Sequence, residues 1–212
     1  MSAARLRAEF AAFYVGVPVA AALLLPAGWL FPVLFALTAV GLVLLHLTPG
    51  FHWGDLTRGW GRIGWGRVAA MGAVTAAASA ALVLSLRPGS FAMPGRADPG
   101  LLLAILALYP VLSALPQEVI FRPLFFRRYG GVIPGGRAGI VLNAAVFSLA
   151  HLMYWSWVVA ALTFAGGLAF AHAYAVRRSF PEAVALHAVA GCTLFALGMG
   201  AWFYTGNVVR PF

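Results

Sequence analysis

Seven apolar stretches divide the chain, near residues 9–30, 31–47, 67–86, 101–126, 138–154, 156–176 and 181–203, and most of the charge falls between them. A bilayer core about 30 Å thick is crossed by about 20 apolar residues in a helix. Within lipid, a helix also satisfies its own backbone hydrogen bonds. The pattern therefore predicts an all-α fold, a polytopic transmembrane helix bundle of about seven spans. Composition points the same way: 63% of the 212 residues are hydrophobic and 9% are charged. A soluble domain carries roughly 25% charged residues, so these could hardly cover a water-facing surface. The second stretch is short, and Pro26 and Pro32 bracket a tight hairpin between the first two, which are expected to tilt or be partly re-entrant.

Charge sets the orientation. The sequence has no lysine, and its net +9 comes from arginine. In a seven-span arrangement Arg5, Arg7, Arg58, Arg62, Arg67, Arg127, Arg128, Arg137, Arg177 and Arg178 fall on one side, and Arg87, Arg96 and Arg210 on the other. By the positive-inside rule this places the N-terminus in the cytoplasm and the C-terminus outside. The expected location is a bacterial inner (plasma) membrane. Arginines clustered between spans indicate membrane orientation and no nucleic-acid partner. No small-residue cleavage site follows Arg5 and Arg7, so the first span is expected to be retained. Cys192 is the one cysteine, which excludes an intrachain disulfide and a multi-cysteine metal site.

Three regions are expected: N-terminal transmembrane helices over 1–100, a core over 101–204 and a short tail over 205–212. Within the first, "FHWGDLTRGWGRIGWGR" (51–67) is too polar to span. It reads either as a cytoplasmic interfacial segment anchored by Trp53, Trp60 and Trp65 or as a plain loop.

Function is concentrated in "LPQEVIFRPLFFRRYG" (115–130), which places Glu118, one of only five carboxylates, among apolar side chains. A charge at mid-bilayer costs about 2.5–3.5 kcal/mol on insertion scales, so it persists where it is paired or used. Arg122 stands one turn on, in the favourable Glu-to-Arg order, and a buried strut is the plain reading of the pair. Pro110, Pro116 and Pro123 interrupt the same span, and irregular backbone within a membrane is tolerated where it is packed by protein or lines a wet cavity. His151 and His187 lie in two further apolar stretches, whereas His46 and His172 read as ordinary interhelical hydrogen-bonding groups. A carboxylate and two imidazoles from three spans can activate water and stabilise an oxyanion, or bind zinc.

These residues resemble the CAAX prenyl protease and bacteriocin-processing (CPBP, or Abi) family of intramembrane proteases. Its pattern is E-E-x-x-x-R, then F-x-x-x-H, then H-x-x-x-N or H-x-x-x-D on successive membrane helices. Here Gln117, Glu118 and Arg122 form the first element, Phe147 and His151 the second, and His187 opens the third. The resemblance covers roughly 101–200 and implies an intramembrane endopeptidase acting on a peptide or membrane-protein substrate. Glu118, His151 and His187 are then the catalytic residues, supported by Gln117, Arg122 and Phe147. Glu118 and His151 activate water, and His187 stabilises the oxyanion or, with His151, holds a divalent metal such as zinc. Two positions depart from the pattern: Gln117 stands in place of the first glutamate and Gly191 in place of the asparagine. An amide cannot act as a general base.

Two other functions fit the same residues: a catalytically weakened relative that binds a peptide as an immunity, maturation or scaffold protein, and a small transporter with Glu118 as its proton-coupling carboxylate. Oligomeric state is not readable. At 1.5 Å per residue, Glu118 is expected about 12 Å, His187 about 9 Å and His151 about 20 Å from the inner boundary, so the fifth helix must start lower or tilt. Asn143, on the His151 face, is expected to make a helix-to-helix hydrogen bond.

Overall fold

The computed structural model describes residues 2–212, and among them every regular element is helical. Six helices are long and apolar enough to cross a membrane: α1 (Ala3–Leu24), α2 (Ala27–His46), α3 (Trp65–Leu86), α4 (Pro99–Arg128), α5 (Gly136–Tyr154) and α6 (Trp157–Ala175). A seventh, α7 (Phe180–Ala196), is apolar but shorter. This is the polytopic bundle expected, with shifted boundaries. The first helix ends at Leu24, because the extended backbone at Leu25 and Pro26 turns the chain before residue 30. Pro32 does not close that hairpin but sits in the first turns of α2, where a missing N–H costs little. The seventh ends at Ala196, because Gly198 adopts φ 94° and redirects the chain into a short helix, Gly200–Phe203. A Cβ at 198 would collide with the Ser90 carbonyl.

Capping residues mark the helix starts. The Asp98 side chain accepts from Leu101 N–H at 2.9 Å, with Pro99 at the first helical position of α4. Ser179 accepts from Glu182 N–H at 3.2 Å at the start of α7. The segment 51–67 forms two 3-10 turns, Trp53–Leu56 and Trp60–Arg62, with Trp53, Trp60 and Trp65 exposed.

Proline reshapes α4. It runs as α-helix to Tyr109, widens to a π-turn over Pro110–Ala114, returns to α-helix over Leu115–Val119 and widens again over Ile120–Arg128, around Pro123. Each proline lacks the donor an α-turn needs, and its ring clashes with the carbonyl four residues back; a π-turn accommodates both. Gln117 and Glu118 therefore sit in one short turn of α-helix between two wide ones. The second wide turn is packed by α1, where Tyr14 donates to the Ile120 carbonyl at 2.7 Å and stacks edge-on against Phe125 and Tyr129.

α5 and α6 form a close hairpin. A Cβ on Gly167 would stand 3.0 Å from Ala144 Cα, so the backbones approach as small residues allow. α7 packs against α3, α4 and α6. Each of the five carboxylates is partnered: Glu9 by Arg128 and Tyr129, Asp55 by Arg58 and Arg127, Asp98 by its helix start, Glu118 by Arg122 and His187, and Glu182 by Arg67, Arg177 and Gly64 N–H.

Candidate active site

Arg122 and Glu118 have no exposed side-chain surface. The guanidinium grips the carboxylate at both ends, Nε to Oε2 at 2.8 Å and Nη2 to Oε1 at 3.2 Å. Its Nη1 donates to Asn143 Oδ1 on α5, and Asn143 Nδ2 donates to the Phe121 carbonyl at 2.6 Å. Asn143 thus ties α5 to α4, the interhelical role its position suggests. The rings of Phe147 and Phe170 cover the guanidinium at 5.2 and 5.8 Å. A buried cation tolerates such surroundings when its donors are matched by acceptors and ring faces.

From α7, His187 Nδ1 meets Glu118 Oε1 at 2.9 Å. A carboxylate paired with arginine accepts, so the hydrogen lies on Nδ1 and Nε2 faces the other way. Phe170 stacks on the imidazole at 4.8 Å and 11°, and Phe147 meets it edge-on at 5.5 Å. Tyr109 Oη approaches Nε2 at 3.2 Å.

His151 follows the α-helical part of α5, which ends at Leu149. Its Nδ1 lies 2.8 Å from the Phe147 carbonyl, four residues back. A carbonyl only accepts, so Nδ1 carries the hydrogen and Nε2 is left with a lone pair. Phe147 lies between the histidines, 4.9 Å from the His151 ring and 5.5 Å from His187.

A cavity of about 1310 Å³ is lined by His151, His187, Gln117, Ser113 and Tyr109, together with a largely apolar wall. Exposed Phe31, Val74, Leu108 and Leu112, from α2, α3 and α4, also line it, as do exposed Tyr204 and Val209 near the C-terminal end. Glu118 and Arg122 do not line it. Gln117 does: its Nε2 donates to Ser113 Oγ at 2.9 Å, and its buried Oε1 has no hydrogen-bond partner.

The structure therefore brings Glu118 and His187 into contact, sets His151 and Gln117 on the same cavity, and encloses Arg122 behind them. Sequence reasoning passed over Tyr109 and Ser113, although Tyr109, Ser113 and Gln117 recur every four residues and form a polar stripe on an apolar helix.

The donor set does not fit a resident divalent metal. Among the described residues no three His, Cys, Asp or Glu side chains stand close enough to hold one. Both Glu118 oxygens are engaged by Arg122, and one of them by His187 as well. Position 117 offers an amide, not a carboxylate.

Residues 99–193 match the family model described as Type II CAAX prenyl endopeptidase Rce1-like. The matched segment runs from α4 into α7 and holds every residue of the site, so this part of the chain is similar to a family of CAAX prenyl endopeptidases. No curated protein and no solved structure matches the chain.

Proposed function

We propose that the protein is an intramembrane endopeptidase that hydrolyses a peptide bond presented in the cavity, with His151 as the base for water. The observation that carries this is the contact between His151 Nδ1 and the Phe147 carbonyl, which assigns the tautomer. With Nδ1 committed there, the Nε2 lone pair is the acceptor on a cavity-lining ring. A water held there gives a proton to Nε2 as its oxygen attacks the carbonyl carbon. The C–N bond breaks as the tetrahedral oxygen re-forms the carbonyl, and the same proton passes to the leaving nitrogen. An imidazole nitrogen can both take up a proton and return it.

Glu118 acts from behind the cavity wall. Its carboxylate fixes the hydrogen on His187 Nδ1 and so orients the ring, with Nε2 turned away from Glu118 towards the reacting carbonyl oxygen. Arg122 holds the carboxylate in place. The large, mostly apolar cavity supports a substrate carrying a long apolar group, in keeping with the prenyl substrates that the family's description names. The arginine distribution sets the N-terminus in the cytoplasm.

The test is hydrolysis in isotopically labelled water. Protein in liposomes is given a farnesylated peptide of the Cys-aliphatic-aliphatic-X type, and the new C-terminus is weighed. One heavy oxygen in its carboxylate is expected; an intact peptide contradicts the reading.

One observation favours a second reading, a peptide-binding relative without turnover: Gln117 lines the cavity where the family pattern has glutamate, and an amide takes no proton. Glu118 neither lines the cavity nor has an unengaged oxygen, so it is poorly placed as the coupling carboxylate of a transporter; the carboxylate that does line the cavity, Asp98, accepts from Leu101 N–H at the start of α4.

A further inference from the structure

We propose that Tyr109 is the oxyanion-binding side chain of this site, its hydroxyl polarised by the Glu118–His187 pair and presented to the cavity; this rests on the peptidase reading above.

A chain of three polar groups runs from the buried interior to the cavity. Glu118 Oε1 meets His187 Nδ1 at 2.9 Å, and His187 Nε2 meets Tyr109 Oη at 3.2 Å. Three helix positions keep the phenol ring in place. His187, Gly191 and Phe195 follow one another at four-residue steps along α7, and Tyr109 lies over all three, 6.0 Å from the His187 ring and 5.7 Å from the Phe195 ring. A Cβ at position 191 would fall on the Tyr109 ring, so the absence of a side chain there is what admits the phenol. Position 191 can carry no polar group of its own while Tyr109 occupies that space, and the tyrosine brings a hydroxyl to the cavity from the facing helix.

The polarity of this chain follows from its charges. With His187 neutral, Nε2 accepts and the phenol donates inward. With His187 as imidazolium, Nε2–H donates to Tyr109 Oη and the phenol hydrogen is released towards the cavity. A hydroxyl that accepts from a cation is a stronger donor, and negative charge growing on a carbonyl oxygen in the cavity favours that arrangement. Ser113 and Gln117, one and two turns along the same face of α4, extend the polar strip on which a peptide group would lie. Tyr109 thus converts the charge of an imidazole packed between Phe170 and Phe147 into a neutral, directional donor at the cavity surface.

The experiment uses the full-length protein in liposomes and two probes: the farnesylated peptide with an N-methylated, uncleavable scissile amide, and the same peptide with a phosphonate in that place, a tetrahedral anion. The wild type is expected to bind the phosphonate at least about a hundredfold more tightly. Tyr109→Phe keeps the ring and should erase most of that preference, while affinity for the amide probe stays within about twofold. On the cleavable peptide the same variant should lose about 10²–10³ in kcat with KM little changed, the size expected for one oxyanion donor. A double variant, Tyr109→Ala with Gly191→Asn, returns an amide donor from α7 into the vacated space and should recover at least tenfold over Tyr109→Ala alone.

A phosphonate preference that is absent in the wild type, or unchanged in Tyr109→Phe, overturns the assignment. Cleavage that survives Tyr109→Phe at full rate does the same while leaving the peptidase reading intact. A Tyr109-dependent preference in a protein that cleaves nothing overturns the peptidase reading instead and leaves the anion site standing.

Discussion

Glu118 and Arg122 meet one helical turn apart with no exposed side-chain surface on either, and the carboxylate still has an oxygen 2.9 Å from His187 on another helix. The pair that sequence spacing suggests as a strut thus also holds the contact to His187 on which the proposed site is built. Arg122 neutralises the carboxylate, and the carboxylate orients an imidazole.

Removing the arginine should show both roles. Arg122→Ala leaves a buried carboxylate paired only with His187 and frees Asn143 Oδ1, so a loss of about 3–5 kcal/mol is expected. Thermal unfolding in detergent measures it. Arg122→Lys should recover only part, because a point charge cannot make the two-ended contact.

Gly167 is a packing test away from the chemistry. A Cβ there meets Ala144 Cα at 3.0 Å and the Phe147 ring at 3.2 Å, and a backbone atom has little room to give. Gly167→Val should separate α5 from α6, lower stability by about 1–3 kcal/mol and displace Phe147 from between the two histidines. A lower unfolding temperature with reduced cleavage is the expected pair of results.

Gln117→Glu distinguishes turnover from binding alone. With His151 as base, a carboxylate at 117 is not needed, and cleavage should rise less than about threefold. A gain in the range of about 10²–10⁴, the usual worth of a positioned base, favours the relative that binds without cutting.

Because the donor set is a hydrogen-bonded Glu118, two histidines set apart by Phe147 and an amide, cleavage should withstand a strong zinc chelator. Loss of activity on chelation, restored by added zinc, would show a metal site that these contacts do not contain.

The spans were legible because hydropathy alone decides what enters lipid: six of the seven expected stretches form helices long enough to cross, the seventh is a shorter apolar helix, and the ends at Leu24 and Ala196 moved with local turn chemistry at Pro26 and Gly198. The four-residue spacing of Glu118 and Arg122 was legible for the same reason that helices have a fixed pitch. Depth counting separated His151 from the other two, since it assumed straight helices; the prolines of α4 widen its turns, and His151 lies past the α-helical end of α5 with its ring returned to the Phe147 carbonyl. The contact between Tyr109 and His187, 78 positions apart, belongs to helix packing and has no signature in either segment. Only the Tyr109, Ser113, Gln117 stripe pointed towards it.

The most direct measurement compares cleavage of the farnesylated peptide by wild type, His151→Ala and His187→Ala, each reconstituted in liposomes and checked for folding. Release of the C-terminal fragment by the wild type is predicted, with losses of at least about a hundredfold in both variants. Fragment release at an unaltered rate when either imidazole is gone, or none from the wild type, would contradict the account.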